Sequence, residues 1–249
     1  MFLLIICAGL FGIGVFFSPK NGTSDGFYAE PKNSIDALFV GSSHIMAGVS
    51  PTQIWQQNQY TSYVMYSWSQ PPWTTYHYVK EALKTQKPKV IVVDGYNYTY
   101  GNFSFLPENA DSVSDGFSLQ MPPSFNRMAL AAAMSRCQKN GQKLYNYSPV
   151  MRFHARWQYL AKEDFTYPFQ SHPTTAKGFG PLYEHRAVTQ LPMPVHLSEG
   201  VLYSHAEEYL RKLIHLCDKN KIPLMIMTTP YQFLPGEYEV FERIKRICK

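Results

Sequence analysis

Residues 35–40, Ile-Asp-Ala-Leu-Phe-Val, form a short aliphatic run that closes abruptly on Gly41-Ser42-Ser43-His44. Such a run, ended by glycine and small polar residues, predicts a buried parallel strand opening into a tight turn. Further strands are expected at 62–66, at 90–94 (Val-Ile-Val-Val-Asp) and at 222–229, and helices at 51–58 and 74–86. Lys87-Pro88 stops the second of those helices, because proline cannot continue it. Alternation at this spacing predicts a three-layer α/β/α fold on a mainly parallel sheet. Ligands of open α/β sheets bind beyond the carboxyl ends of the strands, which makes Ser42 and Ser43 candidates for chemistry. The turn and the short helix after it would also aim backbone N–H groups at developing negative charge. A strand-ending turn that uses glycine and serine only for backbone tolerance is the plainer alternative.

The alternation breaks at 98–198. Helices are expected there at 124–139 and 149–162, amid stretches rich in Pro, Gly, Thr and His. An insertion of that length after the third strand is expected over the active-site edge of the sheet, as a lid. Aromatic residues crowd 96–105 and 145–169, where they either stack on sugar rings or form the insertion's own core. The regular pattern resumes with helices at 199–220 and 236–248, flanking the strand at 222–229.

With 249 residues, 45% of them hydrophobic, the chain can build one large domain. A net charge of +5, without a basic stripe interleaved with aromatics, argues against nucleic acid as a partner. Four scattered cysteines make no disulfide framework, and no Cys-x-x-Cys or His-x-x-x-His spacing points to a metal; no cofactor is expected. Residues 1–17 contain no charge, close to the short limit for a transmembrane helix, and read as an uncleaved anchor, with a signal segment as the alternative, joined to the domain by a polar linker at 18–33.

The segment 33–51, Asn-Ser-Ile-Asp-Ala-Leu-Phe-Val-Gly-Ser-Ser-His-Ile-Met-Ala-Gly-Val-Ser-Pro, resembles the first block of the SGNH/GDSL hydrolase superfamily. The similarity is nearest to its membrane-anchored bacterial branch, that of the D-alanyl-lipoteichoic-acid transfer protein and the alginate O-acetylation proteins. It continues through 72–83, 87–94, 209–217 and 222–230, and little of it falls within 98–198. The resemblance implies a flavodoxin-like sheet, Ser43 as nucleophile and Asn97 of Gly95-Tyr96-Asn97 in the oxyanion hole. Ser42, His44 and Gln70 are the implied substrate-side residues; Gln70 belongs to a second block, Ser67-Trp68-Ser69-Gln70, that lacks the family's glycine.

A serine hydroxyl needs a base within hydrogen-bond reach. The family supplies it as Asp-x-x-His, and none of the eight histidines has Asp three residues before it. The family's motif follows one more strand after the helix in which this chain ends, so the chain reads as a fragment lacking its base, inactive or nearly so. The function expected is extracytoplasmic O-acyl transfer or deacylation on a cell-surface glycan or glycopolymer, beside a membrane-bound O-acyltransferase. The alternative is a non-catalytic glycan- or partner-binding accessory protein; a plain esterase of small soluble esters fits the apolar N-terminus less well.

Overall fold

The computed structural model describes residues 2–18, 20, 26–99, 121–137, 146–183, 201–231 and 236–249. Four parallel strands, β1 (Ala37–Gly41), β2 (Ser62–Tyr66), β3 (Val90–Asp94) and β4 (Leu224–Met227), form one sheet in the order β2-β1-β3-β4. Phe39 of β1 stands opposite Val64 of β2 and Val92 of β3, and Val92 stands opposite Met225 of β4. The chain leaves β1 toward one side for β2 and crosses to the other side for β3. The switch point of the sheet therefore lies between β1 and β3.

Side-chain alternation along the strands explains why both faces are covered. Leu38, Val40, Ile91 and Val93 are fully buried in a core shared with Tyr78 and Val79 of α4 (Pro72–Ala82) and Leu210 and Leu213 of α8 (Ser204–Asn220). Phe39 and Val64 point the other way, onto Ile45 and Ile54 of α2 (Ser43–Gly48) and α3 (Pro51–Asn58). Each aliphatic side chain buried this completely contributes about 1.5–3 kcal/mol. The short helix α2 occupies the place where the sequence predicts only a turn; Ser42 caps it, its side chain accepting the His44 N–H at 3.3 Å.

The strands at 35–40 and 222–229 are found as five and four paired residues, Ala37–Gly41 and Leu224–Met227. The helix expected at 74–86 ends at Ala82. Gln86, beyond it, turns its amide oxygen onto the backbone N–H groups of Ser34 and Ile35 at 3.0 and 3.3 Å. Helix α5 (Phe125–Cys137) lies within the expected 124–139, whose last two residues are outside the described ones. It packs on α4 through a buried network: His77 Nδ1 meets Asn126 Oδ1 at 2.7 Å, and Asn126 Nδ2 donates to Glu81 at 2.9 Å. Since that amide nitrogen is held by Glu81, its oxygen faces the imidazole, and the His77 ring hydrogen sits on Nδ1. Burial pushes His77 down from 6.5 to about 4.

The helix expected at 149–162 is broken instead into α6 (Pro149–Phe153), a 3₁₀ turn (His154–Tyr159) and α7 (Lys162–Thr166). Leu160 turns extended, and Asp164 accepts the Ala161 N–H at 2.9 Å to start α7. These pieces pack on the apolar helix α1 (Phe2–Phe17). No helix among the described residues is long and apolar enough to cross a membrane, and α1 has 16 residues.

The two edges of the sheet are finished differently. Along β2, the Val64 N–H donates to the Lys177 carbonyl at 2.9 Å, and Gly180 N–H donates to the Met46 carbonyl at 3.1 Å. This strap needs glycine at 178, where φ is +85° and a Cβ would stand 1.9 Å from the Val64 carbonyl oxygen. Lys177 also pairs with Glu30. Among the described residues no backbone pairs with the outer edge of β4. There Met225 is 57% exposed, and a concavity of about 700 Å³ opens among Ile214, Leu224, Ile226, Phe241 and Ile244. Phe241 and Ile244 belong to the last helix, α9 (Glu237–Ile247). Of the described parts of 98–198, α5 covers α4, 149–166 packs on α1, and 174–180 straps β2 and reaches Met46 of α2. Residues 100–120, 138–145 and 184–198 lie outside the described residues.

Candidate functional site

The carboxyl ends of β1 and β3 meet at the switch point, where open α/β sheets bind their ligands. Gly41 ends β1 and must be glycine, because a Cβ there would meet the Asp94 Cβ at 2.5 Å and Ile45 at 2.6 Å. That close approach lets Ser42 Oγ donate to Asp94 Oδ2 at 2.9 Å, joining the two strand ends across 52 positions of sequence. The other Asp94 oxygen accepts the Tyr96 N–H at 3.0 Å. Asp94 is wholly buried, and burial raises its carboxyl above the ordinary range although the Tyr96 and Ser42 hydrogen bonds and His44 oppose the rise.

Ser43 begins α2 beside this bridge and is half-buried. Among the described residues its side chain has no histidine partner. His44, next in sequence, stacks its ring on Tyr96 with centroids 3.9 Å apart and lies 5.4 Å from the Tyr231 ring. Burial lowers the His44 pKa below 6.5, against the pull of the Asp94 and Glu237 charges, so the imidazole is neutral at pH 7. The Tyr231 hydroxyl is held against Glu237 at the start of α9; burial and that carboxylate push its pKa upward.

Asn97 stands in the 3₁₀ turn Tyr96–Tyr98 after β3, fully buried. Among the described residues neither end of its amide finds a hydrogen-bond partner. An amide buried in this way costs about 1–3 kcal/mol, and such orphans call for an explanation in function or ligand binding.

The structure thus gathers four of the five residues singled out in the sequence, Ser42, Ser43, His44 and Asn97, at the paired ends of β1 and β3. Three of the four have their polar groups buried or packed: the Ser42 hydroxyl is bonded to Asp94 and caps α2, the Asn97 amide is fully buried, and His44 stacks its ring on Tyr96. Gln70 stands in the turn after β2. It has no exposed surface, accepts from Ser67 Oγ at 3.2 Å and donates to Thr75 at 2.8 Å, bracing the turn after β2 from within.

Sequence reasoning passed over Asp94, Tyr96, Tyr231 and Glu237. An acidic residue closing the apolar run 90–94 was the one available signal, since a buried carboxylate needs partners. Among the described residues no three His, Cys, Asp or Glu side chains gather where they could hold a metal ion. Comparison with models of known families, with curated proteins and with solved structures finds no match for this chain.

Proposed function

We propose that the chain is an SGNH-like serine acyltransferase or esterase, membrane-anchored and extracytoplasmic, acting on O-acyl groups of a cell-surface glycan or glycopolymer. Its sheet is read as flavodoxin-like, and its partners as that polymer and a membrane-bound O-acyltransferase. The observation that carries the reading is Asn97: a fully buried amide without a partner among the described residues, just after β3 and beside the strand end that bears Ser43.

In this reading the Ser43 hydroxyl oxygen attacks the acyl carbonyl carbon. The carbonyl π electrons move onto oxygen, where the Ser43 N–H and Asn97 Nδ2 stabilise the oxyanion. Collapse expels the glycan alkoxide and leaves acyl-Ser43; water or an acceptor hydroxyl then takes the acyl group. The Ser42–Asp94 hydrogen bond joins the strand ends after which Ser43 and Asn97 follow. The serine proton must go to a base that is not among the described residues around Ser43, and turnover by the chain alone is therefore expected to be slow.

Imidazole supplied in solution can stand in for that base. With an activated acetyl ester and imidazole, mass spectrometry is expected to find one acetyl group on Ser43, absent in Ser43→Ala. No adduct at any imidazole concentration would end the enzyme reading. The second reading, a non-catalytic accessory module, would then stand, favoured by the Asp94 carboxylate being already engaged and by Ser43 lacking a histidine partner.

A further inference from the structure

The C-terminal end of α1 is built into a second structure. Gly14 lies against Pro149 and Val150, where a Cβ would stand 3.0 Å from the Pro149 Cβ, and the Phe16 ring packs tilted against Phe165 of α7, centroids 5.5 Å apart. Arg156 donates from Nη1 to the Phe17 and Ser18 carbonyls at 2.6 and 2.8 Å, and from Nη2 to Asp164 at 3.0 Å. A cation on the last carbonyls of a helix satisfies groups that have no intrahelical partner. Asp164 in turn faces Lys20 at 3.6 Å, so Arg156, Asp164 and Lys20 lock 149–166 to the helix end.

The outer surface of this assembly is not that of an ordinary solvated loop. Trp157 is 65% exposed, Tyr159 75% and Phe165 52%, and Leu10 and Ile13 of α1 are each 47% exposed. Large apolar side chains left exposed along one short segment mark an interaction surface. Trp and Tyr are the residues enriched where a bilayer meets water. Counting the lock, the assembly carries four basic side chains, Lys20, Arg152, Arg156 and Lys162, against two acidic ones, Glu163 and Asp164, a formal excess of positive charge. Anionic headgroups complement that charge. α6 packs on the C-terminal part of α1, where Gly14 meets Pro149 and Val150, so 149–166 sits at that end of α1 if α1 enters a bilayer.

We propose that 149–166 is a bilayer-interface foot, which seats Trp157, Tyr159 and Phe165 in the headgroup layer of an anionic membrane and fixes the domain's height and tilt over it. The inference rests on the membrane-anchored reading given above and adds a surface that reading does not contain. It assigns the tyrosines, tryptophan and phenylalanine of this region to lipid, whereas their crowding in the sequence equally fits sugar stacking or an insertion core.

The full chain, reconstituted into phosphatidylcholine–phosphatidylglycerol vesicles with brominated acyl chains, tests this by tryptophan quenching. The foot predicts a quenched component that disappears in Trp157→Phe. It also predicts that backbone hydrogen exchange across 154–166 slows by about tenfold on vesicles, and that Trp157→Ser/Tyr159→Ser/Phe165→Ser abolishes the slowing. If the chain sediments with vesicles but Trp157→Phe leaves the quenching unchanged and exchange is not slowed, the foot is overturned while the anchor stands. If the chain does not sediment with vesicles, the anchor reading fails and takes the foot with it.

Discussion

The two edge strands make the same kind of sequence into different surfaces. Both β2 and β4 are short and rich in apolar residues, and both pair on one side only. The outer edge of β2 is closed by the strap 174–180, and its Val64 is fully buried. The outer edge of β4 meets no described backbone, Met225 is largely exposed, and an apolar concavity flanks it. Exposed edges offer unpaired N–H and C=O groups, and one way proteins cover them is with a loop. The difference teaches that an edge is finished by residues remote in sequence, here Gly178 more than one hundred residues after β2.

The strap is where the comparison breaks most easily. Gly178→Ala puts a methyl group where the Val64 carbonyl already stands, at a φ that L residues resist. We expect a loss of about 3 kcal/mol in urea unfolding. A loss under about 1 kcal/mol would mean that the strap does not hold the edge.

Acid tests the helix layer that both edges share. His77 has its ordinary pKa of 6.5 when unfolded and about 4 when folded, so the unfolded chain binds the proton first. Its contribution is complete above pH 6.5 and is lost as pH falls toward 4, up to on the order of 3 kcal/mol. Urea midpoints measured across that window should fall, and should fall less in His77→Gln. Equal slopes would exclude His77 as the cause.

A matched pair of truncations sharpens the contrast directly. Val64→Ala should cost about 2 kcal/mol and Met225→Ala no more than about 0.5 kcal/mol. Equal costs would show that β4 is as covered in solution as β2.

A further contrast runs within the site. Ser42→Ala removes a hydrogen bond from the buried Asp94 carboxyl and should cost about 1–2 kcal/mol. Asn97→Leu removes a buried amide that has no partner among the described residues and should raise stability, by up to about 1–3 kcal/mol. A loss of 2 kcal/mol or more on Asn97→Leu would mark Asn97 as a structural residue instead.

How much of this was legible in the sequence follows from the range of the interactions. β2 and β3 fall where period and composition place them, because a strand buried on both faces needs only a run of apolar residues and a stop. The run containing β4 reads the same way, yet β4 is half-exposed, because covering an edge depends on what packs there and not on the strand itself. Ser42, Ser43, His44 and Asn97 could be named from local motifs. That Ser42 is spent on Asp94, Gln70 on Thr75 and His44 on Tyr96 could not, since each pairing is decided by folded distance. The break of 149–162 into short helices was illegible for the same reason: Arg156 and Asp164 serve the end of α1, about 140 residues earlier.

The central claim is that the switch point holds an activatable serine at Ser43. Peptide mapping after treatment with a fluorophosphonate, with imidazole as external base, tests it most directly. The account predicts one phosphonyl group on Ser43, absent in Ser43→Ala and formed at least about tenfold more slowly in Asn97→Leu. An adduct on another serine, or none on Ser43 in a folded chain, would contradict it.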